Sequence, residues 1–107
     1  MATVYYRPAA RRDLVEHFVY LAVNADEATA DRFIVNAETS FAALAEQPNM
    51  GSPLTPRNQQ LAGLRKWRVT DFDNFLIFYL PRPNGVSIVR VLYAARDWWE
   101  LLGIDPS

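Results

Sequence analysis

The sequence predicts an α+β domain: an N-terminal strand and a helical hairpin packed on one face of a mainly antiparallel sheet of about four strands. Three observations point to it. Residues 74–97, NFLIFYLPRPNGVSIVRVLYAARD, read as a β-hairpin at the centre of a sheet. Residues 8–46 hold two successive runs with apolar side chains at helical spacing and only a tight connection between them. Residues 3–7 and 63–69 add short segments of strand character before and after the helices. A chain of 107 residues with no repeat or low-complexity tract sets one domain, residues 1–107, around its own core.

Residues 3–7, TVYYR, form the first strand, whose neighbour the sequence does not fix. Pro8 suits the first position of a helix, where its missing N–H is no loss. That helix runs to about Val23, with Ala10, Leu14, Phe18 and Leu21 on its inward face. Asp26 is a good N-cap for the second helix, residues 27–46. Its stripe is Ala30, Phe33, Ile34, Ala37, Phe41, Leu44 and Ala45, and Pro48 stops it. Helices joined this tightly form an antiparallel pair. Residues 48–62, PNMGSPLTPRNQQLA, are a surface loop. Residues 63–69, GLRKWRV, alternate as a strand, with Leu64, Lys66 and Arg68 on one face and Arg65, Trp67 and Val69 on the other. Residues 70–73 turn the chain into the central hairpin.

In the hairpin, residues 75–80 are an unbroken run of aromatic and branched side chains, too short for a helix. Pro81 is expected to end this strand. Arg82-Pro83-Asn84-Gly85 supplies turn chemistry, and VSIVRVLY, residues 86–93, returns. Both alternating faces of both strands are apolar, so both require cover. The helices cover one face; the other is expected to be covered by a partner. Residues 98–103, WWELLG, make a short helical turn ended by Gly103 and Pro106. Phe18, Phe33, Phe41 and Phe78 are expected in the core.

Composition excludes several functions. The chain has no cysteine and one histidine, which removes disulfides, thiolate sites and a histidine-based metal centre; no cofactor is implied. No apolar run approaches the roughly 18 residues of a membrane helix, and no basic-then-apolar leader opens the chain, so a cytoplasmic protein is expected. His17 and Ser40 with an aspartate resemble parts of a triad, yet no nucleophile elbow is present and His17 reads as a helix-boundary residue. The four glycines form no phosphate loop, and Asp71 and Asp73 read as turn caps. Arg90, inside an apolar strand, needs an internal partner such as Asp13 or Glu38. The net charge of −1 hides an asymmetry: residues 1–50 carry four arginines against seven acids, whereas residues 51–107 carry seven basic residues against five acids. Ten of the eleven basic residues are arginine, the type suited to bidentate recognition of anions. A charged partner and a merely solvated basic face both fit that pattern.

The pattern resembles the RelE/ParE toxin superfamily, and within it the ParE-like, plasmid-stabilisation branch. The resemblance rests on Pro8-Ala9-Ala10 with Asp13-Leu14, on residues 30–34, and on Leu44, Pro48, Gly51 and Leu64-Arg65. Its strongest parts are Phe75-Leu76-Ile77-Phe78-Tyr79, then Ile88-Val89-Arg90-Val91-Leu92-Tyr93 with Ala95-Arg96-Asp97 behind. It implies the toxin of a type II toxin–antitoxin pair, held in a hetero-oligomer by a ParD-type ribbon-helix-helix antitoxin that lies over its hydrophobic surface. The ParE branch poisons DNA gyrase without catalysis of its own, and no sequence-specific nucleic-acid binding is implied. The RelE branch cleaves messenger RNA on the ribosome and is the alternative, as is a non-toxic binding relic. RelE-like nucleases place an arginine where this chain has Leu76 and a tyrosine near Leu102, although Arg96 matches a family arginine. Leucine stabilises no phosphorane, so the catalytic set is largely missing.

The residues singled out for target or antitoxin contact are Arg65, Lys66, Trp67, Arg68, Arg96, Trp98 and Trp99. Trp67 among three basic residues reads either as an aromatic anchor or as an edge strand guarded by charge. Arg96 and Asp97 read as a structural pair, a cap or a contact. Trp98 and Trp99 are adjacent, so one is expected to stay exposed.

Overall fold

The computed structural model describes residues 2–104. Strand β1 (Thr3–Tyr6) leads into helix α1 (Pro8–Asn24), then α2 (Glu27–Glu46). Four strands follow, β2 (Ser52–Pro53), β3 (Arg65–Val69), β4 (Phe72–Arg82) and β5 (Gly85–Tyr93), before the short helix α3 (Trp98–Leu102). The sheet has five strands in the order β1-β5-β4-β3-β2. All pairings are antiparallel except β1 with β5, which is parallel. A parallel neighbour needs a long crossover, and the α1–α2 hairpin begins that return path. The fifth strand is the two-residue β2, drawn from the loop after α2. No helix among the described residues is long and apolar enough to cross a membrane.

The α2 helix forms as its sequence indicates. The Asp26 side chain accepts from the Thr29 N–H at 2.6 Å, and Phe33, Ala37, Phe41 and Leu44 are fully buried on the sheet. The inward face of α1 differs from the apolar reading. Ala10 and Asp13 are its buried residues, and Leu14 and Leu21 pack at the core edge. Phe18 is only half-buried and belongs to neither core cluster. Ala10, Leu14 and Leu21 do face the core as expected, but Asp13 and His17 share that face with them.

The reason lies at the edge of β5. Strand β1 reaches only as far as Ile88, so on the side away from β4 the backbone of Val91 has no strand beside it. Asp13 accepts the Val91 N–H at 3.0 Å, and His17 Nε2 bonds the Val91 carbonyl at 2.7 Å. A carbonyl only accepts, so Nε2 carries the proton. One turn of α1 thus stands in for the missing strand. Asp13 also holds the Arg90 guanidinium through two hydrogen bonds of 2.7 and 2.9 Å. Of the two partners expected for Arg90, Asp13 is the one used. That bond raises the Arg90 pKa above its ordinary value, against the opposing effect of burial.

The hairpin departs from its expected limits. The turn from β3 is Thr70-Asp71 alone, and β4 begins at Phe72. Pro81 does not end β4; it pairs with Val86, and Arg82 with Gly85 closes the two-residue turn. In such a hairpin the closing pair exchanges ladder bonds, so the next residue points its backbone outward. Outward of Pro81 no strand waits, because β3 starts at Arg65 opposite Tyr79. The missing N–H therefore costs little. Gly63, expected in the preceding strand, lies before it in a turn at φ 90°.

The two faces of the sheet are both covered by the chain itself. The helices cover the first. On the second, Phe78, Leu80, Val89 and Leu92 pack with Leu61, Leu64, Leu102 and Ile104. The expectation that a partner must cover this face is corrected: the 54–64 loop and α3 do so. Gly103, in the left-handed conformation at φ 68°, ends α3. Pro106, the other expected stop, lies outside the described residues.

Candidate functional site

The seven singled-out residues fall into separate neighbourhoods because strand alternation sends successive side chains to opposite faces. Arg65 and Trp67 point to the helix side, and Trp67 packs against the first core cluster. The Arg65 Nη1 donates to the carbonyls of Gly51 at 2.6 Å and Asn49 at 3.2 Å, pinning the loop after α2. Lys66 points to the second face, where its ammonium sits 5.2 Å from the Trp98 ring centre. Arg68 is largely exposed, stacks 5.3 Å from the Trp67 ring and pairs with Asp73 at 3.5 Å. Arg96 is exposed on the connection between β5 and α3.

Trp98 and Trp99 correct the expectation that one would be exposed. Both are half-buried on the second face. Trp98 lies 5.3 Å from Phe78 and 5.4 Å from Trp99, ring centre to ring centre. Both rings pack against the second core cluster, so neither is left to solvent alone. Asp97 occupies the position before α3 without a side-chain capping bond. The structure therefore brings together Lys66, Trp98 and Trp99, with Leu76 packed on the same cluster, and separately Trp67 with Arg68.

The catalytic possibilities are thin at this surface. Leu102 is buried in the second cluster and Leu76 packs beside it, where general acid–base chemistry would need polar groups. His17 and Ser40 use different partners: Ser40 bonds Asn36 and Thr70. Asp71 lies in the turn with φ 65°, and Asp73 pairs with Arg68.

Several residues that organise the surface were not singled out from sequence. Tyr79 is fully buried, donates its hydroxyl proton to the Pro48 carbonyl at 2.7 Å and accepts from the Gly51 N–H at 2.9 Å. Burial raises its pKa above the usual 10.0, with the Gly51 bond and Arg65 opposing. This node, together with Arg65, sets the loop that leads into β2 and β3. Outside, α1 leaves Val15, Val19, Tyr20 and Val23 exposed at 53% or more. Their spacing of three and four residues was the available signal for a second apolar stripe.

A family model described as the ParE toxin of type II toxin–antitoxin systems, parDE, matches residues 4–98. The chain belongs to the ParE toxin family. The match runs from β1 to the start of α3 and so includes every strand of the sheet. Among solved structures, the fold of this ParE-family chain is similar to one described as the chromosomal ParDE TA system from P. aeruginosa, with a TM-score of 0.69. The alignment covers 87% of this chain and 96% of that one at 15% identity, so the likeness is one of fold. No curated protein matches the sequence significantly.

Proposed function

We propose that this ParE-family chain is a cytoplasmic, single-domain toxin that inhibits DNA gyrase by binding and is neutralised by a ParD-type antitoxin in a hetero-oligomer. The family match over residues 4–98 carries this reading. Non-catalytic action is supported by the second face of the sheet, where Leu76 and Leu102 pack in the apolar cluster in place of the arginine and tyrosine expected of RelE-like nucleases. The half-buried Lys66, Trp98 and Trp99 on that face, with the exposed Arg68 and Arg96, are the target surface in this reading. Arg65 and Trp67 support it from the other side of β3.

The antitoxin is assigned to the remaining apolar surface. Val15, Val19 and Val23 lie at four-residue intervals on the outer side of α1, and a partner's helical segment would bury them.

The test is inducible expression of the chain alone, with a DNA-damage reporter and bulk protein synthesis followed together. Growth arrest with a DNA-damage response and continuing early translation is the expected result, and purified gyrase should lose supercoiling activity in the presence of excess chain. Arrest with an immediate fall in protein synthesis, abolished by Arg96→Ala, would instead establish the ribonuclease. Soluble expression without any arrest would leave a binding relic.

A further inference from the structure

At the tip of the sheet β3 and β4 part company. Val69 pairs with Phe72 across the two-residue turn, yet Arg68 pairs with Leu76, so residues 73–75 have no partners on β3. A break of this kind re-aims side chains and opens the sheet. The turn itself is held by Asp71 at φ 65°, a left-handed conformation that is uncommon for a residue with a side chain. Backbone strain of this kind gathers at functional sites.

The parting leaves a cleft of about 660 Å³ between the turn and the C-terminal half of α1. A second depression of about 500 Å³ adjoins it and shares Tyr20, Phe75 and Tyr93. Its walls are aromatic, and two of them stay open to solvent: Tyr20 is 58% and Tyr93 41% exposed. Two neighbouring rings already carry guanidinium groups, Arg68 at 5.3 Å from Trp67 and Arg32 at 5.5 Å from Phe72. Tyr20 and Tyr93 carry none among the described residues.

Charge decides what these rings can receive. Asp71 and Asp73 line the cleft and Glu16 the adjoining depression. Against these three carboxylates stand Arg68 in the lining and Arg32 over the Phe72 ring, with Arg90, which Glu16 also faces, already held by Asp13, so one carboxylate remains in excess. Asp73 is taken by Arg68; neither Glu16 nor Asp71 makes a salt bridge among the described residues. Phosphate and nucleic acid are disfavoured in such a field, whereas a cation gains both from the carboxylates and from the ring faces.

We propose that this cleft receives an arginine side chain of a partner protein, with the guanidinium stacked on Tyr20 and Tyr93 in the field of Glu16 and Asp71. Arginine suits the place better than lysine because its planar group stacks on aromatic faces. The site lies apart from Lys66, Trp98 and Trp99, and it does not depend on which cellular target the toxin strikes.

The test is an NMR titration of the full chain with Nα-acetyl-arginine-N-methylamide, with the uncharged citrulline analogue alongside. The arginine probe should shift the Tyr20, Tyr93 and Trp67 ring resonances in a saturable way. The citrulline analogue should bind about three- to fivefold more weakly, as loss of a cation–π contact requires. Tyr20→Ala should weaken the arginine probe by a similar factor. Asp71→Gly removes the carboxylate while suiting the positive φ, so it should weaken binding without loss of thermal stability. Equal shifts from the citrulline analogue, the same shifts from inorganic phosphate, or unchanged affinity in both variants would overturn the proposal.

Discussion

Replacing Asp13 by alanine is the most direct test of how α1 is fixed to the sheet. Asp13 is 4% exposed, and its carboxylate serves three donors: two from Arg90 and the Val91 N–H. Removing one member of a buried ion pair costs about 3–5 kcal/mol. The Arg90 side chain is 25% exposed, so water would resolvate part of it and lower that share to about 2 kcal/mol. The Val91 N–H, left without an acceptor beside the sheet edge, adds about 1–3 kcal/mol. The expected loss is therefore about 4 kcal/mol, a large part of the roughly 5–15 kcal/mol that stabilises a small domain. Urea unfolding followed by tryptophan fluorescence would measure it, and the melting temperature should fall by about 15–30 °C. Asp13→Asn keeps one carbonyl oxygen and should lose about half as much. A cycle with Arg90→Met should show a coupling above about 1 kcal/mol, since the two groups share bonds. A loss below about 1 kcal/mol for Asp13→Ala, or strict additivity in the cycle, would refute this account of the clasp.

Two further predictions concern the loop node. A Cβ at Gly51 would stand 2.5 Å from the Tyr79 hydroxyl and 2.7 Å from the Lys66 carbonyl, so Gly51→Ala should destabilise by about 1–3 kcal/mol in the same urea assay. Tyr79 has a folded pKa raised above 10.0, chiefly by burial. Its contribution is therefore fully present below pH 10 and is lost as pH rises through the folded value, because the unfolded chain releases the proton first. In a series measured from pH 8 upward, stability should decline for this reason only as the pH approaches and passes about 10, and Tyr79→Phe should flatten that decline while losing stability at neutral pH.

Much of the fold was written locally. The helix limits at Pro8 and Asp26, the stripe of α2 and the apolar runs of β4 and β5 each follow from short-range rules of capping and periodicity. The need of Arg90 for an acid was legible too, since an arginine in an apolar strand implies a partner. Pro81 and Phe18 were misread because their fates depend on neighbours far along the chain. Pro81 continues β4 only because β3 stops short of it, and Phe18 is turned aside because Asp13 and His17 occupy the sheet side of α1.

The candidate surface divides in the same way. Charge asymmetry and the run Arg65-Lys66-Trp67-Arg68 were visible in sequence, and so was the presence of adjacent tryptophans. How they are grouped was not. Alternation on β3 separates Trp67 from Lys66, and the path of the chain after Tyr93 lays Trp98 and Trp99 on the second face. The cover of that face by Leu61, Leu64, Leu102 and Ile104 involves residues about forty positions apart, beyond the reach of any local pattern. By itself the sequence determined the main helices and strands, the family resemblance and the excess of arginine. Only the tertiary structure decided which side chains meet, because side-chain proximity across a sheet is set by register and by the ends of neighbouring strands, neither of which is encoded in any one segment.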